Sequence, residues 1–305
     1  FFFKQWTELK NYANQKGIQI IGDMPIYVAA DSVEVWTKPE LFQLDKERNP
    51  LFVAGVPADQ FSATGQLWGN PLYAWEEHKK QGYAWWIHRI EESFKIYDVL
   101  RIDHFKGFSD YWQVDGKAEV AKDGSWQPGP GYDLFKAVKE QLGDLPIIAE
   151  DLGNIDDKAR KLLADCNYPG MKILQFGFED VSGKSLDSPH YCIPHSIVYT
   201  GTHDNDVTNG WYNSLTEQQQ QYINDYTHRR ENESICQAMI RQLFATVSNT
   251  AIATMQDILD LPASSRINVP STIGGNWQWR MQQSDLTQDK KDFLAKMTTL
   301  YQRAN

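Results

Sequence analysis

Acidic side chains follow three short apolar runs along the chain. They belong to the motifs RIDH at 101–104, AED at 149–151 and THDN at 202–205. Carboxylates at such positions can act as nucleophiles, as proton donors and acceptors, or as ligands of hydroxyl groups and metal ions. The residue types therefore indicate an acid/base or nucleophilic site that is assembled from distant parts of the chain.

Arg101 and Asp103 are two residues apart in a segment that has the pattern of a strand. Side chains at this spacing lie on one face, so the guanidinium group and the carboxylate point in the same direction. A neighbouring guanidinium favours the ionised carboxylate, which is the form that a nucleophile requires. A structural ion pair accounts for the same spacing, and both interpretations stay open from this motif alone.

Glu150 and Asp151 are adjacent at the end of the second run. Neighbouring strand residues lie on opposite faces, so only one of the two carboxylates can face a common site. Glu150 is the better candidate for a proton donor, because burial or a nearby carboxylate such as Asp103 would raise its pKa toward neutrality. A helix cap or a surface position is the alternative for this residue.

The third motif contains His203 and Asp204 in a polar segment. A calcium loop is excluded there, because Asn209 stands where glycine is required and Leu215 stands near the position of the closing Glu. The sequence also lacks the H-E-x-x-H zinc motif, the P-loop and the Gly-rich dinucleotide turn. We therefore expect no metal and no cofactor, and we interpret His203 and Asp204 as groups that bind hydroxyls.

The composition limits the partners of the protein. The 305 residues include 30 Lys and Arg against 40 Asp and Glu, a formal net charge of −10. Nucleic acids and anionic membrane surfaces require a basic footprint, so neither is an expected partner. No apolar run approaches the roughly 18 residues of a membrane helix. The 3 cysteines are widely spaced, which favours a reducing compartment, and we expect the protein to be cytoplasmic.

Six short apolar runs alternate with amphipathic stretches, which predicts an α/β fold with parallel strands. The runs occupy residues 18–28, 99–105, 146–152, 171–178, 197–202 and 251–259. Nearly every run ends in a polar residue, as expected of a (β/α)8 TIM barrel, which carries its active site at the carboxyl ends of its strands. A closed barrel has eight strands, so the six runs are two short of a closed barrel.

We expect the whole chain, residues 1–305, to form one partial catalytic barrel. Residues 29–75 are too long for a simple connection between strand and helix, and they combine aromatic residues with turn formers. We interpret them as a loop-rich subdomain inserted over the rim after the first strand present.

Carboxylates on three strand ends, without metal or nucleotide motifs, indicate chemistry at a glycosidic bond, which two carboxyl groups flank in most glycosidases. The segments RIDHF at 101–105, AEDLG at 149–153 and THDN at 202–205 resemble the catalytic motifs of the amylomaltases, the 4-α-glucanotransferases of the α-amylase clan. Residues 22–28, 31–36, 65–71 and 275–280 also resemble this family.

The resemblance implies an enzyme that transfers α-1,4-glucan segments between maltodextrins such as maltotriose, or to glucose, without a cofactor. It implies a retaining double displacement in which Asp103 is the nucleophile and forms a β-glucosyl intermediate. Glu150 would be the acid/base, and Asp204 would hold the distorted sugar.

The resemblance also implies a set of substrate-binding residues. They are Asp23, Asp59, Gln60, Phe61, Gln66, Trp68, Arg101, His104, His203 and Asn276. Asp59, Gln60 and Phe61 correspond to the loop that covers the acceptor glucan in the family. The sequence departs from the family at Gln60, where an aromatic residue is expected, and at Lys106, where arginine is usual.

Two other functions stay open from the sequence. A hydrolase of the α-amylase type would use the same carboxylates and differ in whether water reaches the intermediate. An inactive glucan-binding remnant is the second alternative, because the resemblance implies a barrel that lacks its first two strands, the N-terminal part of the fold.

Overall fold

The computed structural model describes residues 1–58, 63–153 and 155–303. These residues divide into two compact units, of which the first comprises residues 1–170 and the second begins at residue 171. Each unit has its own hydrophobic core and is described by itself below.

The first unit contains helices, parallel strands and antiparallel strands. Its helices are α1 (Phe2–Gln15), α2 (Val33–Thr37), α3 (Trp75–Lys80), α4 (Ala84–Ile96), α5 (Tyr132–Leu142) and α6 (Asp157–Cys166). Its strands are β1 (Ile21–Met24), β2 (Phe52–Val56), β3 (Gln66–Pro71), β4 (Val99–Ile102), β5 (Asp110–Asp115), β6 (Ser125–Pro128) and β7 (Ile147–Ala149).

A parallel sheet of order β1-β4-β7 forms the centre of this unit. The strands β4 and β7 are short, apolar and largely buried, as strands covered on both faces are expected to be, whereas β1 alternates exposed and buried residues. Leu100 and Ile102 of β4 are fully buried in one core with Trp86 and Ile90 of α4 and Leu134 of α5. The helices thus cover the sheet and fix the strands that carry the polar residues at its carboxyl edge.

A second sheet is antiparallel and has the order β3-β2-β5-β6. The strands β2 and β3 lie within residues 29–75, whereas β5 and β6 follow β4 in the chain. Val53, Val114 and Ala121 form a small core on this sheet. Residues 29–75 therefore contain two ordered strands, β2 and β3. The other two strands of the same sheet, β5 and β6, belong to the segment that follows β4.

The second unit consists of three strands and the helices that pack on them. Its strands are β8 (Gly170–Ile173), β9 (Ser196–Tyr199) and β10 (Thr250–Ile252). Its helices are α7 (Leu174–Glu179), α8 (Thr208–Ser214), α9 (Glu217–Thr227), α10 (Ile235–Ala245), α11 (Met255–Leu259) and α12 (Gln288–Leu300).

The strands of the second unit form a sheet of order β10-β9-β8, in which β10 and β9 are parallel. Capping boxes begin α9 at Thr216 and α10 at Ser234, where each hydroxyl accepts from the third main-chain N–H of its helix. Met239 and Leu243 of α10 are fully buried in one core with Val198 of β9. The amphipathic helix α10 thus packs its apolar face on the sheet.

Each of the six predicted apolar runs overlaps one strand of the sheets β1-β4-β7 and β10-β9-β8, so the predicted α/β class is confirmed. The described elements are those of a partial α/β barrel. The single catalytic domain and the position of residues 29–75 over a rim stay predictions. In the described parts of the chain, no helix combines the length and the apolar character needed to cross a bilayer.

Candidate active site

The carboxyl ends of β1, β4 and β7 place acidic residues side by side. The register pairs Asp23 with Arg101. The ladder continues past the strands, because the N–H of Asp103 donates to the carbonyl of Met24 and the N–H of Glu150 donates to that of Ile102, both at 3.0 Å. These main-chain bonds fix where the side chains of Asp103 and Glu150 leave the sheet.

Arg101 bridges two carboxylates. Its Nη1 lies 2.6 and 2.8 Å from the two oxygens of Asp23 and 3.1 Å from Oδ1 of Asp103. The Arg101 side chain is 8% exposed, whereas those of Asp23 and Asp103 are 42% and 37% exposed. Burial opposes the charge of the guanidinium, but the carboxylates outweigh burial and raise the pKa of Arg101. The predicted contact of Arg101 with Asp103 is thus present, and Asp23 is a second carboxylate that pairs with the same guanidinium.

Glu150 is held by two main-chain donors. Its Oε2 accepts from the N–H of His104 at 2.7 Å, and its Oε1 accepts from the N–H of Leu152 at 3.1 Å. Burial and the charge of Asp103 raise the pKa of Glu150 to about 7, against the opposing effects of Arg101 and the two donors. Glu150 therefore exchanges a proton near neutral pH, as a general acid/base requires.

His104 adopts the left-handed conformation, with φ 49° and ψ 52°. This conformation is uncommon for residues other than glycine, and it marks a constrained position. The main-chain N–H of the same residue donates to the carboxylate of Glu150. Burial, and then the charge of Lys106, lower the pKa of the ring to about 4, so the imidazole is neutral at neutral pH.

Strand β3 brings Gln66 and Trp68 to this site. The Trp68 ring meets the His104 ring edge to face at a centroid distance of 4.8 Å. Its indole Nε1 donates to Oε1 of Gln66 at 3.2 Å, and 36% of the residue is exposed. An exposed, hydrogen-bonded indole of this kind can stack on the apolar face of a sugar ring.

The buried Lys106 belongs to an ionic network that sequence reasoning missed. Its Nζ lies 2.5 Å from Oδ1 of Asp110 and 2.8 Å from Oδ2 of Asp156. It also lies 4.4 Å from the centre of the Trp126 ring. Asp156 caps α6 through Ala159, and an N-cap Asp at the start of a helical pattern was the available signal for this residue.

In the second unit, His203 and Asp204 follow β9. The Nε2 of His203 lies 3.3 Å from Oδ2 of Asp204. The other oxygen, Oδ1, accepts from Nδ2 of Asn268 at 2.7 Å. Nη2 of Arg266 donates to the main-chain carbonyl of Asp204, also at 2.7 Å. Asn268 and Arg266 were not predicted, because they lie more than 60 residues from Asp204 in the chain.

The side chain of Asn276 forms hydrogen bonds within its own loop. Its Oδ1 accepts from the N–H of Val269 at 3.0 Å, and its Nδ2 donates to Oγ1 of Thr272 at 3.1 Å. The neighbouring Trp277 is 63% exposed, and its ring centroid lies 5.3 Å from that of His203. The structure thus places Asn276 in the loop that carries Trp277 to His203, and a contact of Asn276 with substrate stays a prediction.

Three of the predicted residues, Asp59, Gln60 and Phe61, lie outside the described residues. Among the described residues, the grouping of His and acidic side chains that could share a metal ion is His88, Glu91 and Glu92 on the surface of α4. It includes none of the predicted catalytic carboxylates.

A parallel sheet that gathers Asp103, Arg101 and Glu150 at its carboxyl edge has the arrangement of the α/β-barrel enzymes. The family model described as 4-alpha-glucanotransferase matches residues 1–287. The chain belongs to this family.

Relatives in bacteria carry the same description. A 4-alpha-glucanotransferase of Streptococcus pneumoniae is 52% identical over 306 residues, which cover 100% of this chain and 60% of the relative. One of Clostridium butyricum is 45% identical over 305 residues, with 99% of this chain and 62% of the relative covered. The chain therefore spans about 60% of the length of these relatives.

Solved structures agree with this assignment. An amylomaltase from Streptococcus agalactiae in complex with acarbose superposes with a TM-score of 0.98 and 60% identity, over 100% of this chain and 61% of that protein. An amylomaltase from Corynebacterium glutamicum shares the fold at 16% identity, with a TM-score of 0.78 over 97% of this chain and 48% of that protein. The predicted family is confirmed.

Proposed function

We propose that the protein is a 4-alpha-glucanotransferase that moves α-1,4-glucan segments between maltodextrins or onto glucose. The observation that carries the proposal is the pairing of two carboxyl groups in opposite environments. Asp103 lies 3.1 Å from the guanidinium of Arg101, whereas burial and the charge of Asp103 raise the pKa of Glu150 to about 7. One group is thus suited to be a nucleophile and the other a proton donor.

In the first step of the proposed reaction, a carboxylate oxygen of Asp103 forms a bond to the anomeric carbon of the donor glucan. The glycosidic bond breaks, and its electron pair leaves with the bridging oxygen. Glu150 gives its proton to that oxygen. The products are a glucan with a free 4-hydroxyl and a β-glycosyl ester on Asp103.

In the second step, the 4-hydroxyl of an acceptor glucan or of glucose attacks the same anomeric carbon. Glu150, now ionised, accepts the hydroxyl proton, and Asp103 leaves as a carboxylate. Arg101 favours this departure because it stabilises the negative charge on Asp103. Two inversions give overall retention of the α configuration.

Other residues of the site contact the substrate in this proposal. Asp204 and His203 bind hydroxyls of the distorted sugar, and Arg101, His104, Asp23 and Asn276 line the donor side. Trp68, with Gln66, provides an aromatic surface for a glucosyl ring. Asp59, Gln60 and Phe61 contact the acceptor and limit the access of water to the intermediate. The subdomain at residues 29–75 forms the rim of a single catalytic domain.

The proposed partners are α-1,4-glucans, namely maltodextrins, maltotriose and glucose, and a role in maltodextrin metabolism follows. The net charge of −10 disfavours nucleic acids and anionic membranes as partners. Cys166, Cys192 and Cys236 are all free thiols, which supports a reducing, cytoplasmic location.

Incubation of the purified full-length protein with maltotriose tests the proposal. The expected products are glucose together with maltotetraose, maltopentaose and longer maltodextrins, resolved by chromatography. Products limited to maltose and glucose would support the alternative of an α-amylase-type hydrolase. No product at all would support the glucan-binding remnant. The Asp103→Asn variant is the control, and it should give no products while it stays folded.

A further inference from the structure

The third carboxylate, Asp204, is held by a loop that follows α11. We propose that Arg266 and Asn268 are positioning residues that fix the main chain and the side chain of Asp204 for the transferase reaction. This inference rests on the proposed function, in which Asp204 binds the distorted sugar. Neither residue has to touch the substrate for this role.

Asp204 would be poorly fixed without these contacts. Its side chain is 46% exposed, and it follows β9 in a turn where the N–H of Asp204 donates a 3.3 Å hydrogen bond to Oγ1 of Thr202. An exposed carboxylate samples several side-chain rotamers and gains little from a single weak contact. The strong contacts of Asp204 come instead from Arg266 and Asn268.

Arg266 connects two main-chain carbonyls. Its Nη2 donates to the carbonyl of Asp204 at 2.7 Å, and its Nε donates to the carbonyl of Asn268 at 2.8 Å. The planar guanidinium fixes the spacing of these two carbonyls, because its donors have a rigid geometry. It thereby sets the position from which the Asn268 side chain reaches Asp204.

Asn268 fixes one oxygen of the carboxylate and leaves the other available. Its Nδ2 donates to Oδ1 of Asp204 at 2.7 Å, while Oδ2 faces Nε2 of His203 at 3.3 Å. An amide donor orients the carboxylate without neutralising its charge. Oδ2 can therefore accept a hydrogen bond from a sugar hydroxyl, which is the contact that the proposed function requires.

The loop that carries these residues is itself closed by hydrogen bonds. The N–H of Trp277 donates to the carbonyl of Ile267 at 2.6 Å, and the N–H of Val269 donates to Oδ1 of Asn276 at 3.0 Å. On the N-terminal side, Nε2 of the buried Gln256 donates to the carbonyl of Ser265 at 3.3 Å. The segment can thus hold Asp204 at a fixed position.

A double-mutant cycle in the full-length protein tests the inference. Asn268→Ala should lower kcat for maltotriose disproportionation about 10- to 100-fold and change KM by less than about threefold, because misplacement acts on the reacting geometry. In an Asp204→Ala background, the same substitution should have no further effect on kcat. Arg266→Met should behave like Asn268→Ala. Asn213→Ala, at an exposed position of α8, is the matched control and should leave kcat unchanged.

Multiplicative losses of kcat in the cycle would overturn the inference, since they would show that Asn268 acts independently of Asp204. A crystal structure of Asn268→Ala gives a readout that does not depend on activity. We expect the Asp204 carboxylate in more than one rotamer. A single, unchanged rotamer would overturn the positioning role, whereas a wild-type protein without glucan transfer would overturn the proposed function.

Discussion

The main-chain N–H of His104 donates a 2.7 Å hydrogen bond to Oε2 of Glu150. His104 directly follows Asp103 in the chain, so the residue after the proposed nucleophile holds the proposed acid/base. The residue that provides this main-chain donor, His104, adopts the left-handed conformation with φ 49°. The two carboxyl groups are therefore coupled through one main-chain conformation as well as through their charges.

Substitutions at His104 should separate its main-chain role from its ring. Asparagine tolerates the left-handed conformation, whereas a β-branched residue opposes it. In His104→Val the hydrogen bond to Glu150 should weaken, and since this bond lowers the pKa of Glu150, the alkaline limb of kcat/KM should move to higher pH. His104→Asn should keep the limb in place. If the alkaline limb of kcat/KM lies at the same pH in both variants, the main-chain role of His104 is contradicted.

The pKa of Glu150 should depend on Asp103. The charge of Asp103 contributes to raising the pKa of Glu150 to about 7, so removal of that charge in Asp103→Asn should lower the pKa. The titration can be followed by NMR of 13C-labelled Glu carboxyl groups. In the wild-type enzyme, kcat/KM should decline as the pH rises above about 7, because the proton donor is lost. An unchanged or higher pKa in Asp103→Asn would show that the two groups do not interact.

The raised pKa of Glu150 should lower the free energy of unfolding of the protein at alkaline pH. Its folded-state pKa is raised, from 4.5 to about 7, so the folded protein binds more protons than the unfolded chain between these values. The free energy of unfolding therefore falls as the pH rises through this window. Glu150→Gln should be more stable than the wild type at pH 8, and the difference should shrink at pH 5, as measured by urea unfolding. A difference that does not vary with pH would be inconsistent with this linkage.

The Lys106 side chain should contribute strongly to the free energy of unfolding of the protein. Its ammonium group is buried and pairs with Asp110, whose side chain is 13% exposed. Lys106→Met leaves this carboxylate without its partner and should lower the free energy of unfolding by about 3 kcal/mol. Lys106→Arg should lose much less. The surface pair of Lys161 with Asp165 provides the control, because Lys161→Met should cost at most about 0.5 kcal/mol. Equal losses in the free energy of unfolding for Lys106→Met and Lys161→Met would refute the stabilising role of the Lys106 network.

His78 should make the protein sensitive to acid. The residue is 1% exposed and burial lowers its pKa from 6.5 to about 4. The neutral ring is therefore favoured in the fold, and its contribution is complete above pH 6.5 and lost as the pH falls toward 4. The loss should be about 3 kcal/mol over this range. His78→Gln should remove this part of the pH dependence, whereas the exposed His88→Gln should not; identical curves for His78→Gln and the wild type would contradict the argument.

The parallel strands could be predicted from sequence because each lies in a short apolar run, and β4, β7 and β9 are largely buried on both faces. The antiparallel strands β3 and β6 could not, because they are mostly exposed, contain proline and lack such a run. At the site, the spacing of Arg101 and Asp103 sufficed to predict their contact. The contact of Lys106 with Asp156, 50 residues away, depends on the folded path of the chain.

The central claim is that Asp103 is the nucleophile of a double displacement with Glu150 as acid/base. The most direct measurement is mass spectrometry of the full-length Glu150→Gln variant after incubation with α-maltotriosyl fluoride. Fluoride leaves without a proton donor, and the variant lacks the base for the second step, so a maltotriosyl ester should accumulate. We predict one maltotriosyl group per protein, located by peptide mapping on Asp103. An adduct on another carboxylate, such as Asp23 or Asp204, or no adduct at all, would contradict the account.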